Sequence, residues 1–274
     1  MSQFPQLSQI DCVVSDLDGT LLNADHQISE NAIKSIQALV EQGVVFMLAT
    51  GRHYQDVHGL MQKLGVEMCL ITSNGARVHS DCGKLLYHNA MPAHLVAEVI
   101  RLSRGFCVHR NLYQNENWWV EEPHEELLAI HASSGFSYRF CDFDSLLLND
   151  VDKLYFNAGH DELLKLEKAL QKSLGDQLCI TFTSPEYLEV MNLGVSKAQA
   201  LAQRFIERDI CPTRVLALGD GMNDIEMLNL VGHRVVMDNA SERVKSMVDH
   251  AIGGFANHND GVALCLQRLL ASKA

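Results

Sequence analysis

Ile10-Asp11-Cys12-Val13-Val14-Ser15 runs directly into Asp16-Leu17-Asp18-Gly19-Thr20, and the reading of this stretch decides the fold. The apolar run predicts a buried strand, and two carboxylates one residue apart close it. Side chains at i and i+2 of an extended segment point the same way. Asp16 and Asp18 therefore aim into one small volume, a potential nucleophile beside a potential proton carrier. Like charges that close repel, which asks for a bound cation or a raised pKa. Gly19 permits a sharp turn, and Thr20 offers a hydroxyl to a carboxylate oxygen. The plain alternative is a solvated strand-to-loop turn, since Asp-Gly is a common turn dipeptide. Such a turn has no need of an Asp two residues before the Asp-Gly.

Outward from this strand, residues 10–83 and 193–274 share one style, in which short apolar strands alternate with amphipathic helices. Val44 to Ala49, Met68 to Ile71, Arg214 to Leu218 and Arg234 to Met237 read as strands buried on both faces. Ser29 is placed to cap a helix running to Gln42, and Ser241 to cap another running to about Val248. The alternation predicts an α/β class with a Rossmann-like parallel sheet and helices on both faces. In such a sheet ligands sit beyond the carboxyl ends of the strands. The five tips carry Asp16 and Asp18; Thr50-Gly51-Arg52; Thr72-Ser73-Asn74-Gly75-Ala76; Gly219-Asp220-Gly221-Met222-Asn223-Asp224; and Asp238-Asn239-Ala240. All are small, hydroxyl, amide or acidic residues, and none is a plain turn.

Residues 84–192 read differently. A helix from Pro92 to Arg104 precedes strands at Phe106 to Tyr113 and Trp118 to Glu121. A helix from Pro123 to Ser133 follows, then strands near Ser137 to Phe140 and Lys153 to Phe156, a helix from Asp161 to Leu174, and strands at Ile180 to Phe182 and Tyr187 to Val190. Short turns between neighbouring strands imply an antiparallel sheet backed by helices, an α+β domain inserted into the first. Trp118 and Trp119, adjacent on one strand, are expected to point to opposite faces.

Bulk properties narrow the function classes. The 274 residues carry a formal net charge of −12, which argues against nucleic acid or an anionic membrane surface as the main partner. An acidic protein that binds phosphate must concentrate cations locally. No signal peptide and no membrane span are visible. Eight cysteines lie scattered without a C-x-x-C pair, as expected of reduced cytoplasmic thiols. His124 and His131 are spaced to share a helix face, and are expected to be a solvated pair in the absence of a third ligand.

The D-x-D-G-T pattern behind an N-terminal strand resembles the haloacid dehalogenase superfamily of phosphatases and phosphomutases, and the insertion resembles the large α/β cap of its Cof-type phosphatases. The similarity spans nearly the whole chain, with residues 1–83 and 193–274 as catalytic core and 84–192 as the cap that sets substrate choice. It implies Asp16 as nucleophile, Asp18 as acid/base, Thr50 as the hydroxyl of the second motif, Lys197 as the lysine of the third and Asp220 as the metal-binding acid of the fourth. It implies Mg²⁺ held by Asp16, the backbone carbonyl of Asp18 and Asp220. Thr50, Gly51, the Leu17 amide, Lys197 and Asn223 would hold phosphoryl oxygens, and Arg52 either the rest of the substrate or an ordinary ion pair. Asp224 would brace the metal site or Lys197, or cap a helix. Two departures stand out: Ala198 follows the lysine where relatives often carry Gly, and Asp238 stands where Gly commonly precedes Asn-Ala.

The expected activity is Mg²⁺-dependent hydrolysis of small phosphorylated metabolites, such as sugar phosphates, pyridoxal phosphate, flavin or pyrimidine phosphates, through an aspartyl-phosphate. A phosphomutase or phosphotransferase would use the same intermediate and shield it from water. A phosphoryl-accepting signalling module also clusters acids, a hydroxyl and a lysine at strand tips, but has no use for a resident acid/base such as Asp18. The substrate and the oligomeric state are not encoded in these motifs.

Overall fold

The computed structural model describes residues 4–131 and 134–272. In chain order the strands are β1 (Cys12–Ser15), β2 (Val45–Ala49), β3 (Cys69–Thr72), β4 (Arg77–His79), β5 (Leu85–His88), β6 (His109–Gln114), β7 (Asn117–Val120), β8 (Tyr138–Phe140), β9 (Val151–Asn157), β10 (Leu178–Ser184), β11 (Tyr187–Asn192), β12 (Val215–Gly219) and β13 (His233–Val236). The helices are α1 (Glu30–Glu41), α2 (Tyr54–Gln62), α3 (Ala93–Ser103), α4 (Glu125–Ile130), α5 (His160–Leu174), α6 (Lys197–Glu207), α7 (Ile225–Leu230), α8 (Glu242–Met247) and α9 (Gly261–Ala271). The expected end of the fourth of these near Ser133 lies outside the described residues.

Contacts divide the chain into two units. The first holds the described part of Met1–Gly51, His58–Leu86 and Ser196–Ala274; the second holds Arg52–Val57 and the described part of Tyr87–Val195. The breaks fall a few residues beyond 83 and 192, and Arg52–Val57 clusters with the inserted segment although it lies far upstream.

The first unit is an α/β layer built on a seven-stranded sheet of order β13-β12-β1-β2-β3-β4-β5. β13, β12, β1, β2 and β3 run parallel, and β4 returns antiparallel to β3. Because the five run the same way, their carboxyl ends share one edge. Cys12, Val13 and Val14 of the central β1 are fully buried, as a strand covered on both faces requires. The capping serines act as the sequence predicts: Ser29 Oγ accepts the Ala32 N–H at 3.0 Å, and Ser241 Oγ accepts that of Val244 at 3.3 Å. Capping of this kind stabilises a helix by about 1 kcal/mol.

The second unit has a six-stranded sheet of order β10-β11-β9-β6-β7-β8. All its pairs are antiparallel except β7–β8, which is parallel, because α4 carries the chain across before β8 begins, as a parallel connection needs. Leu112, Leu154, Phe156, Leu188 and Val190 on one face share an apolar core with Leu163, Leu166 and Leu170 of α5 and Val96 and Val99 of α3. Strand alternation puts Asn111, Tyr113, Trp118, Lys153, Tyr155, Asn157 and Glu189 on the other face. There the Trp118 indole N–H donates to Asn111 Oδ1 at 2.9 Å, and Asn111 Nδ2 donates to Asn157 Oδ1 at 2.8 Å. Lys153 Nζ meets Glu189 Oε1 at 2.6 Å. The two tryptophans do part as alternation requires: Trp119 packs toward the helix-backed core, while Trp118 is fully buried among aromatic rings.

Among the described residues no helix is long and apolar enough to cross a membrane, and the eight cysteines form no disulfide.

Candidate active site at the carboxyl edge of the parallel sheet

β1 delivers Asp16 to the sheet edge, with its N–H bonded to the Leu218 carbonyl of β12 at 2.9 Å. The chain then makes one wide turn, closed by the Leu22 N–H on the Leu17 carbonyl at 2.8 Å. Gly19 sits in that turn at φ +75°, where any Cβ would also collide with the Asp220 carboxylate. Both facts demand glycine. Thr20 Oγ1 donates to Asp220 Oδ1 at 2.8 Å, so the first and fourth tips are tied through a residue 200 positions away in sequence. The Asp18 side chain is exposed beside this cluster.

Lys197 is the first residue of α6, behind Ser196, whose Oγ accepts the Gln199 N–H at 3.2 Å. It is buried, 1% exposed, and its ammonium donates to Asp16 Oδ1 at 2.5 Å and to Asp224 Oδ1 at 2.7 Å. Burial alone depresses a lysine pKa, but the Asp16 and Asp224 carboxylates outweigh it and hold the ammonium above its ordinary range. Asp224 Oδ2 accepts the Asp220 and Gly221 amides at 3.0 and 2.8 Å. Of the roles the sequence leaves open, Asp224 thus braces Lys197 and the fourth loop, and its side chain makes no cap bond to α7.

Asp16, Asp220 and Asp224 each bring an oxygen within 4.8 Å of the others. With one ammonium against three carboxylates, the cluster is short of positive charge. The consequence is visible in its acids. Burial, then repulsion from Asp224, push the Asp220 pKa up to about 6, and the same two causes raise Asp16 well above the carboxylate range despite Lys197. A hard divalent cation fits this all-oxygen set and would relieve the repulsion. Both Asp224 oxygens are already engaged, which leaves Asp16 and Asp220 as the carboxylates suited to hold it.

The remaining tips close around this cluster. Thr50 is buried; its N–H bonds the Ile71 carbonyl at 2.9 Å, and its own carbonyl accepts the Asn74 N–H at 3.0 Å. Ser73, Asn74 and Gly75 have φ of +49°, +56° and +101°, three successive left-handed residues that cost conformational energy at Ser73 and Asn74. This turn aims Asn74 Oδ1 at Asn223 Nδ2, 2.9 Å away, and a Cβ on Gly75 would run into the Ser196 carbonyl ahead of α6. Thr20 holds a carboxylate oxygen, as its place in D-x-D-G-T predicts, and that carboxylate is Asp220. Asn74 also belongs to the site, although sequence assigns it no individual role beyond its place in the polar tip of β3. Asn239 Nδ2 donates to the Gly19 carbonyl at 2.8 Å. Asp238 Oδ1 accepts the Gly254 N–H at 2.9 Å, so the added acid pins a neighbouring loop. Ala198 lies inside α6 as an ordinary helical residue.

Arg52 belongs to the second unit. Its Nη1 pairs with Asp56 Oδ2 at 3.2 Å, and both side chains are buried. One expectation is overturned here. His131 is not half of a solvated pair with His124 but is itself buried, with Nδ1 on Asp56 Oδ2 at 2.8 Å. His124 instead packs its ring edge-on to His109.

The sequence model of the haloacid dehalogenase-like hydrolases matches residues 13–266. An HMP-PP phosphatase of Serratia proteamaculans is 37% identical over 234 residues, 85% of each chain, and one of Yersinia pestis is 36% identical over 230 residues, 84% of each chain. A haloacid dehalogenase-like hydrolase from Bacteroides thetaiotaomicron has the same fold, with a TM-score of 0.84 over 95% of this chain and 99% of its own at 25% identity.

Proposed function

The chain belongs to the haloacid dehalogenase-like hydrolases and is a phosphatase of Cof type, and from that premise we propose that it hydrolyses small phosphorylated metabolites with Mg²⁺ through an aspartyl-phosphate on Asp16. The observation that carries the reading is the buried Lys197 ammonium, 2.5 Å from Asp16 and braced by Asp224, beside the carboxylate of Asp220.

Phosphate monoesters hydrolyse slowly because an anion must be attacked by a nucleophile. Lys197 engages one Asp16 oxygen; the other attacks phosphorus in line, forming an Asp16 O–P bond as the bond to the leaving oxygen breaks. Asp18 gives its proton to that oxygen, then accepts one from the water that cleaves the acyl phosphate. Lys197, the Leu17 and Gly51 amides, Thr50 and Asn223 hold the phosphoryl oxygens, and Asn74 keeps the Asn223 amide oriented. Asp16, the Asp18 carbonyl and Asp220 would hold Mg²⁺, which when bound neutralises the acids and the phosphate charge. Residues 84–192 act as the cap that recognises the leaving group, and Arg52 binds the substrate beyond the transferred phosphoryl. HMP-PP, sugar phosphates, pyridoxal phosphate and flavin or pyrimidine phosphates are the substrates to try first.

A hydrolysis screen over these compounds and p-nitrophenyl phosphate, with Mg²⁺ and with excess EDTA, tests the reading. Turnover should require the metal and return when Mg²⁺ is restored. Full hydrolysis in EDTA, with no residual metal detected, would overturn it.

A further inference from the structure

Asp56 occupies the first turn of α2, four residues after Arg52. Its carboxylate is completely buried. A buried carboxylate is costly unless its oxygens are paired and hydrogen-bonded, and here they are. Oδ2 takes Arg52 Nη1 at 3.2 Å and His131 Nδ1 at 2.8 Å, while Oδ1 takes a short hydrogen bond from Ser134 Oγ. Burial pushes the Asp56 pKa up, but His131, Arg52 and Ser134 together pull it below its ordinary value. All four residues lie within the second unit.

The residues on either side of Arg52 are each held within their own unit. Thr50 is fixed by its two backbone bonds to Ile71 and Asn74. The His53 ring bonds the Asn115 carbonyl through Nε2 at 2.7 Å and accepts the Gln55 N–H at Nδ1 at 3.2 Å. It also stacks on Phe136 with the planes 3° apart. Arg52 lies between this anchored histidine and Gly51, which it follows directly in the chain. Its guanidinium is aimed by a carboxylate whose other ligands come from the inserted segment.

We propose that Asp56 is a positioning residue: with His131 and Ser134 it fixes the Arg52 guanidinium to receive acceptor oxygens of the substrate beyond the transferred phosphoryl group. A planar guanidinium recognises oxygens directionally and gains from being pre-oriented. The inference rests on the reading of Arg52 as a substrate-binding residue.

The test is a double-mutant cycle of Arg52→Ala with the isosteric Asp56→Asn, read as kcat and KM on the best metabolite substrate and on p-nitrophenyl phosphate. Alone, Asp56→Asn should raise KM for the metabolite about tenfold or more, with a much smaller effect on the aryl phosphate. In the Arg52→Ala background it should change KM less than about twofold, because the group it positions is gone. Equal effects in both backgrounds, a fall in thermal midpoint with KM unchanged, or an Arg52→Ala enzyme with wild-type KM would each overturn the inference. Should Asp56→Asn not fold, Ser134→Ala removes one donor and should show the same pattern at a few-fold scale. Asp16→Asn run alongside separates the two readings. A live Asp16→Asn enzyme refutes the aspartyl-phosphate, whereas a dead one beside a wild-type-like Asp56→Asn refutes only the positioning role.

Discussion

Gly19 concentrates the logic of the site into one missing methyl group. Its φ of +75° and the Asp220 carboxylate beside it both exclude a side chain, so Gly19→Ala should harm fold and chemistry together. The left-handed backbone alone is expected to cost about 1–2 kcal/mol, readable as a lower urea midpoint. The displaced Asp220 should weaken activation by Mg²⁺. Unchanged metal dependence in a destabilised Gly19→Ala enzyme would show that Asp220 does not serve the cation. The two N-terminal acids separate by role. Asp16→Asn removes the proposed nucleophile and should leave no turnover. Asp18→Asn should lose about 10²–10⁴-fold, and more on alkyl than on aryl phosphates, because poorer leaving groups need the proton more. A flat loss across leaving groups would remove Asp18 from the proton-transfer role.

At the level of elements, what matters is that five parallel strands end at one edge. The strand tips were legible because buried strands are apolar runs, and whatever ends them at the carboxyl side faces the ligand in any such sheet. The pairings across tips were not. Thr20 with Asp220 and Asn74 with Asn223 join residues far apart in sequence, as Asp56 with His131 does within the second unit, and neither spacing nor periodicity encodes them. The parallel β7–β8 pair escaped for a related reason, since it depends on where α4 sends the chain. Gathering the tips also gives a pH dependence. In the metal-free protein Asp220 holds its proton up to about pH 6, against an ordinary 3.8. A raised carboxyl pKa favours the fold below pH 3.8, and that contribution is lost as pH climbs through 6. Mg²⁺ competes with the same proton, so its apparent affinity should fall about tenfold per unit below pH 6 and level off above 7. The rise in thermal midpoint on adding Mg²⁺, followed from pH 5 to 7.5, should therefore grow with pH. A constant rise across that range would place the cation away from Asp220.

For the molecule as a whole, the proposed phosphoryl chemistry falls to the first unit. Every group read here as acting on phosphorus, from Asp16 to Asn223, lies there, while the second unit offers a different inventory. One face of its sheet is committed to an apolar core with α3 and α5. The other carries Tyr113, Trp118, Tyr155, the Lys153–Glu189 pair and the amide chain from Trp118 through Asn111 to Asn157. An indole N–H can only donate, so it fixes the orientation of both amides in turn. These buried groups are hydrogen-bonded as any core requires; the choice of leaving group falls to this unit, on the proposed reading, because every group assigned to phosphorus lies in the other. Asn157→Ala and Arg52→Ala should thus change relative kcat/KM among metabolites through differential transition-state binding, and p-nitrophenyl phosphate should be affected far less. On the proposed mechanism Lys197→Ala removes charge stabilisation common to every substrate, and it should slow all of them by about 10²-fold or more. Ranking one substrate panel against the three variants decides the matter. Uniform losses from Asn157→Ala and Arg52→Ala, beside substrate-selective losses from Lys197→Ala, would reverse the assignment of chemistry to one unit and choice to the other.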